Sequence, residues 1–328
     1  DGASVVVAPD GTVLHRSPQF EEDFFVVEVP VDGERAEPGD IAPHLEPIEE
    51  VYRALTTGLS DYCRKNGFES VIVGLSGGID SAVTAAVAAG ALGADSVWGV
   101  SMPSRFSSQH SIDDARALAQ NLGIRFDLIS IDAVFGAHLA SLSDVFEGTA
   151  FGVAEENLQA RSRGATLMAL SNKFGPMVLA TGNKSEMAAG YATLYGDMVG
   201  GYSILKDVFK GVVYELARWL NKGGEVIPQN TIDKPPSAEL RPNQRDSDSL
   251  PPYEILDAIL ERYIERDLGV EEIVAEGYDA EVVASVCRMV DRNEYKRRQA
   301  APGVRITTKA FGKDRRLPIT NHYRPRLS

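Results

Sequence analysis

Residues 71–83 read VIVGLSGGIDSAV, and no other stretch limits so sharply what this chain can fold into. A run of β-branched residues ends in paired glycines, and an Asp-Ser pair then opens the alanine-rich DSAVTAAVAAGALG. That pattern is a buried strand turning abruptly into a helix, the opening unit of a parallel α/β sheet. Gly77 and Gly78 are expected to adopt backbone conformations that other residues resist, so that successive N–H groups point into one concavity. The positive end of the following helix adds to that field, and Ser76 and Ser81 offer hydroxyls to the same place. Such a turn is a phosphate cradle. It lacks the lysine of GxxxxGK[ST], so it is not the loop of kinases and GTPases. Asp80 stands where a bare anion would be repelled, which makes sense if Mg2+ bridges it to the phosphates.

The chain around this turn keeps the same rhythm. In LEPIEEVYRALTTGLSDYCRKNGF, Leu45, Ile48, Tyr52, Leu55, Leu59 and Tyr62 recur at helical spacing, and Gly67 is a stop signal. Strands SVIVGL, SVWGVSM, IRFDLISI and MVLATGN alternate with helices DSAVTAAVAAGALG, SIDDARALAQNLG (Ser111 as its N-cap) and EENLQARSRGATLMALSNKFG. Short apolar strands alternating with helices predict a doubly wound parallel sheet, with ligands bound beyond the C-terminal strand ends. After residue 205 the pattern is mostly helical, broken by the proline-rich DKPPSAELRPNQ. Residues 4–31 read differently, as three strands: two in SVVVAPDGTVLHRSP around a Pro-Asp-Gly turn, and a third in FFVVEVPV. DGERAEPGDIAP after them has the look of a linker. Three strands cannot bury a core alone, so they either complete a sheet supplied from elsewhere or lean on the main domain.

Charge and cysteine usage exclude several classes of function. The net charge of −14 disfavours nucleic acid as a partner. No apolar run reaches the length of a membrane span. Cys63 and Cys287, without CxxC spacing, suit a reducing cytoplasm better than a disulfide scaffold or a thiolate metal site. From Lys296 onward, ten Lys and Arg residues face a single acid, Asp314. This tail reads as a solvated surface, as phosphate contacts, or as a segment docked on the acidic body.

The motif LSGGIDS resembles the signature of the N-type ATP pyrophosphatases, which cleave ATP between the α- and β-phosphates. The longer stretches GNKSEMAAGYATLYGDMVGGYSILKDVFK, KPPSAELRPNQRDSDSLPPYEILDAIL and EYKRRQAAPGVRITTKAFGKDRRLPITN resemble the synthetase module of the glutamine-dependent NAD synthetase family. That likeness runs over nearly all of residues 43–328. Residues 1–42 resemble the closing strands and linker of the nitrilase-like glutaminase module of the same family, whose remainder lies outside this sequence. The resemblance implies a fold of the adenine nucleotide α-hydrolase type, with a helical C-terminal part and a short N-terminal β remnant. It implies ATP-dependent amidation of nicotinic acid adenine dinucleotide to NAD through an acyl-adenylate, releasing AMP and pyrophosphate. The ammonia is either free or supplied from glutamine. It also implies a homo-oligomer built on dimers.

Roles follow from the resemblance residue by residue. Ser76, Gly77, Gly78 and Ser81 hold the departing pyrophosphate, while Asp80 and Glu186 ligate Mg2+. Glu186 also reads as an ordinary first-turn helix acid. Thr181 and Arg163 contact ATP, and Ser237 sits in a lid that closes over it. Asp197 takes or orients the proton of the incoming ammonium, and Lys210 stabilises the charged acyl centre. Asn157, Glu186, Tyr191, Thr193 and Leu194 belong to the dinucleotide pocket, and Lys206 or Lys296 neutralises its phosphates. Neither cysteine resembles a glutaminase nucleophile. Two alternatives stand beside this reading: another amidating synthetase, such as a GMP synthetase, and a regulatory nucleotide-binding protein of the same fold.

Overall fold

A small antiparallel hairpin leads the chain, β1 (Val5–Val7) pairing with β2 (Val13–Arg16). It belongs to a computed structural model that describes residues 2–28, 39–242 and 244–320. The expected third strand does not form over residues 24–28, and its last residues and most of the linker lie outside the described residues. Phe24 and Val26 are 88% and 80% exposed, and among the described residues no strand pairs with this stretch.

The main body starts at α1 (Pro47–Asn66), whose buried Ile48, Leu55, Leu59 and Cys63 form the expected stripe. Gly67 ends it in the left-handed conformation, with φ at 76°. Then follow β3 (Val71–Gly74), α2 (Ile79–Leu92), β4 (Val97–Ser101), α3 (Gln109–Leu122) and β5 (Arg125–Leu128). The chain returns through α4 (Asp132–Ser141) and α5 (Val153–Phe174) to β6 (Met177–Ala180), α6 (Lys184–Ala189) and β7 (Tyr202–Ser203). Beyond these come α7 (Lys210–Leu220), α8 (Gln229–Asp233), α9 (Tyr253–Leu260), α10 (Val270–Ala275), α11 (Ala280–Arg292) and α12 (Glu294–Arg297). No helix among the described residues is long and apolar enough to cross a membrane.

Two sequence expectations are corrected locally. Ser108, not Ser111, caps α3: its extended backbone lies outside the helix, and its hydroxyl accepts the Ser111 N–H. Gly78 has φ −84°, a value any residue adopts, so only Gly77 of the pair is left-handed, at φ 77°.

The five main strands run parallel in the order β5-β4-β3-β6-β7. Alternation along β3 serves two cores. Val71 and Val73 pack with α1, α2 and α7, whereas Ile72 packs on the other face with Trp98, Val100, Leu167 and Val178. A third cluster, built from Leu256, Ile259, Val283, Cys287 and their neighbours, holds the C-terminal helices to α6. The described part of the basic tail docks on the body: Arg297, buried and paired with Glu294, donates to the Ala188 carbonyl of α6 at 3.1 Å, and Lys309 and Arg315 both meet Asp267. Because the chain builds outward from β3 to β5 and then crosses back to β6, the order reverses between β3 and β6. A crevice opens at their C-terminal ends.

Candidate nucleotide site

Two strand-to-helix turns meet in that crevice. After β3, the loop from Leu75 to Gly78 turns into α2. A Cβ on Gly77 would lie 2.3 Å from the Ser111 carbonyl oxygen, so only glycine permits this approach. The hydroxyls of Ser76 and Ser81 are 3.1 Å apart, and Ser81 Oγ also donates to the Gly78 carbonyl at 2.9 Å. After β6, Asn183 caps α6: its side chain accepts the Glu186 N–H, and the Glu186 carboxylate accepts the Asn183 N–H. The Asn183 amide also donates to Asp80 Oδ1 at 2.8 Å and so ties the two turns together.

Lys210, the first residue of α7, reaches the same point. Its ammonium pairs with Asp80 Oδ2 and lies 3.5 Å from Glu186 Oε1. Burial works against the lysine's charge, but the two carboxylates outweigh it and hold its pKa above the ordinary value. For Glu186 the balance falls the other way. Burial and the neighbouring Asp80 push its carboxyl up, and Lys210 only partly opposes them. The two shifts are reconciled by stoichiometry: one ammonium cannot neutralise two acids, and Asp80 holds it closer. Asp246, whose own carboxyl is raised by burial, adds a further negative charge to the same cavity.

The cleft has a volume of about 280 Å³, at the low end for ligand sites. It is lined by Ser76, Gly78, Asp80, Ser81, Arg163, Thr181, Glu186, Tyr191, Asp197, Lys210 and Ser237. Arg163 donates to the Met102 carbonyl at 3.0 Å, and desolvation lowers its pKa to about 10 against the pull of Glu239, Asp197 and Asp132. Asp197 accepts the Thr193 N–H at 2.6 Å. Crowding by the protein pushes its carboxyl up to about 6 against its backbone donors and Lys296, although its opening to solvent through the cleft screens that rise. Ser237 spends its hydroxyl within its own loop, donating to the Gln244 carbonyl at 2.6 Å.

Other residues picked out from the sequence stand behind the wall. Asn157 Oδ1 accepts from the Thr193 hydroxyl at 2.9 Å, and the Leu194 carbonyl accepts from Arg161. Lys296 donates to the Gly190 and Ala192 carbonyls at 2.7 Å, holding the loop that carries Tyr191, and Lys206 donates to the Ala301 carbonyl. Sequence reasoning missed Asn183, Asp246 and Glu239. The N-x-x-E spacing of Asn183 and Glu186 is the capping signature that could have exposed the first. Burial raises the thiol pKa of Cys63, and that of Cys287 to about 12, so neither is an activated nucleophile.

Among the described residues no three acidic, His or Cys side chains cluster closely enough to hold a metal by themselves. Asp80 and Glu186 nevertheless suit a magnesium ion that takes few protein ligands and completes its shell with phosphate and water oxygens.

A glycine turn and a carboxylate pair facing one crevice at the switch point of a doubly wound parallel sheet define the class of this protein: an α/β fold with its candidate site at the C-terminal strand ends. A family model described as NAD synthase matches residues 39–300, and the chain belongs to that family. The glutamine-dependent NAD(+) synthetases of Thermotoga maritima and Acinetobacter baylyi are 50% and 51% identical to it, covering 100% and 99% of the chain. The chain spans 63% and 60% of those relatives' lengths. The solved structure of glutamine-dependent NAD+ synthetase from Acinetobacter baumannii, in complex with ADP, superposes with a TM-score of 0.70 at 46% identity. It is covered over 60% of its length and covers 100% of this chain. NMN synthetase from Francisella tularensis gives 0.65 at 29% identity, covering 77% of this chain and 96% of its own.

Proposed function

We propose that this chain carries the synthetase chemistry of its family: ATP-dependent amidation of nicotinic acid adenine dinucleotide to NAD, with release of AMP and pyrophosphate. The observation that carries this reading is the meeting of the nest after β3 with the acid turn after β6, joined by Asn183 and Lys210. A carboxylate is a poor acyl donor, and transfer of AMP to it supplies a good leaving group. In this reading the nest and Arg163 hold the phosphates, and Asp197 receives a proton from the attacking ammonia. Lys210 supplies positive charge beside the acids. A Mg2+ held by Asp80 and Glu186 would offset charge between the phosphates.

The relatives' names support NAD as the product, and the ADP bound in the Acinetobacter baumannii structure supports an adenine nucleotide as a ligand. Because both cysteines are buried and unactivated, we take the nitrogen donor of this chain to be free ammonia, with glutamine serving only through further protein. We assign residues 1–42 to a glutaminase module and its linker, and 43–328 to the synthetase domain. We take the assembly to be a homo-oligomer built on dimers, as the family resemblance implies. Incubation with ATP, Mg2+, ammonium and either nicotinic acid adenine dinucleotide or nicotinic acid mononucleotide tests the reading. The expected result is NAD and AMP from the dinucleotide. Amidation of the mononucleotide alone would assign the chain to the chemistry named for the Francisella neighbour, and AMP formation from neither would refute both.

A further inference from the structure

The segment 234–242 crosses the mouth of the cleft and is fastened at both ends to the N-terminal turn of α3. Lys234 donates to Ser111 Oγ at 3.2 Å and to Asp114 Oδ2 at 3.0 Å. Five residues on, Glu239 takes the Ser108 N–H at 3.2 Å and the hydroxyls of Ser108 and Ser111 at 2.9 and 2.8 Å. Gln159 of α5 secures the next residue by donating to the Leu240 carbonyl at 2.8 Å. Glu239 holds this position in a left-handed backbone, φ 48°, which costs a non-glycine residue energy and persists only where its contacts enforce it. Ser111 is buried, and its backbone lies against Gly77 of the nest with no room for a methyl group between them. The nest loop therefore cannot shift toward α3 without displacing the residue that Glu239 grips.

We propose that Glu239 is the clasp that keeps segment 234–242 closed over the nest, and that Ser111 passes nest occupancy to the clasp. The second half rests on the reading above that a nucleotide fills the nest. Glu239 touches no reacting atom and is a positioning residue. Its carboxylate favours the positive charge of Arg163 across the cleft, so closure also conditions that wall. Closure keeps water from an activated acyl group, and an open segment would let hydrolysis compete with ammonia.

The test is hydrogen exchange of the amides of residues 237–241, the non-proline part of the segment, in the unaltered protein, Glu239→Ala and Glu239→Gln, with and without ATP and Mg2+. It is paired with the ratio of AMP to amide formed. Glu239→Ala is expected to exchange about tenfold faster in this segment, the scale set by losing hydrogen bonds to a charged group. ATP should slow exchange in the unaltered protein but much less in this variant, and AMP should exceed amide. Glu239→Gln keeps an acceptor oxygen and is expected between the two. Unchanged exchange in Glu239→Ala, or faster exchange with AMP and amide still formed in equal amounts, overturns the proposal. If the unaltered protein makes no AMP at all, the reaction assignment falls, and the exchange data without nucleotide still decide the clasp.

Discussion

Replacing Lys210 by methionine preserves most of the side chain's volume and removes the ammonium that Asp80 and Glu186 share. Both carboxylates lie within 3.5 Å of Nζ, so they are at most about 7 Å apart. At an effective dielectric of about 20, two such charges repel by about 2 kcal/mol. Breaking a fully buried pair costs about 3–5 kcal/mol. These acids keep 18% and 17% of their side-chain surface exposed, which places the loss at the lower figure. We expect Lys210→Met to lose about 2–3 kcal/mol, about 5 °C in Tm. Glu186 already sits above the ordinary glutamate range, and a carboxyl raised in the folded state weakens folding as pH climbs through its folded pKa. The deficit should therefore be larger near about pH 8.5 than near about pH 6, where a proton relieves the repulsion. Thermal melts with and without Mg2+, in the absence of nucleotide, read the effect directly. The variant's bare acids should gain several degrees from the ion, while the unaltered protein, whose lysine occupies the same oxygens, gains little. Equal melting temperatures, or equal gains from Mg2+, would refute this account of the charge balance.

Asp197→Asn should abolish the acidic limb of the rate profile, which in the unaltered protein falls between 3.8 and about 6 because the residue must be deprotonated to take a proton. A limb that survives in the variant belongs to another group. Gly77→Ala should destabilise the fold by about 2 kcal/mol or more and weaken nucleotide binding, since the methyl group meets the Ser111 carbonyl and φ is 77°. Gly78→Ala should be milder, its added carbon lying 3.2 Å from the Ser76 hydroxyl, and denaturant titration ranks the two. Asp80→Asn should lower metal-dependent pyrophosphate release by about 10²–10³-fold, the scale of a lost electrostatic contact at a reacting centre, as read in a coupled phosphate assay.

Much of the fold could be read from the chain because its local signals are strong. The run Val71–Val73 before two glycines, the stripe from Ile48 to Cys63 and the alanine-rich α2 agree with what each element became. The short elements were hidden. Helix α4 mixes apolar residues around its circumference, with Phe135 alone fully buried, and so shows no stripe. Strand β7 has only two residues. At the site, residues within a motif could be named, but pairings across the chain could not. Nothing in the spacing of Asp80 and Lys210, or of Ser108 and Glu239, places them in contact. Only the crossover from β5 back to β6 and the return of segment 234–242 do so. Lys184 is the extreme case: a lysine beside the acid turn, fully buried on Asp207 and Glu265, which its polar neighbours in sequence gave no reason to expect.

The central claim is that the turn from Ser76 to Ser81 seats a phosphate chain whose negative charge is shared with a divalent cation on Asp80 and Glu186. A crystal structure of this protein with a non-hydrolysable ATP analogue and Mn2+, phased to show the ion's anomalous signal, tests it most directly. The account predicts β- and γ-phosphate density against the Gly77–Gly78 amides, with an anomalous peak between those oxygens and the two carboxylates. Phosphates bound elsewhere, with Lys210 still on Asp80 and no ion beside Glu186, would contradict it.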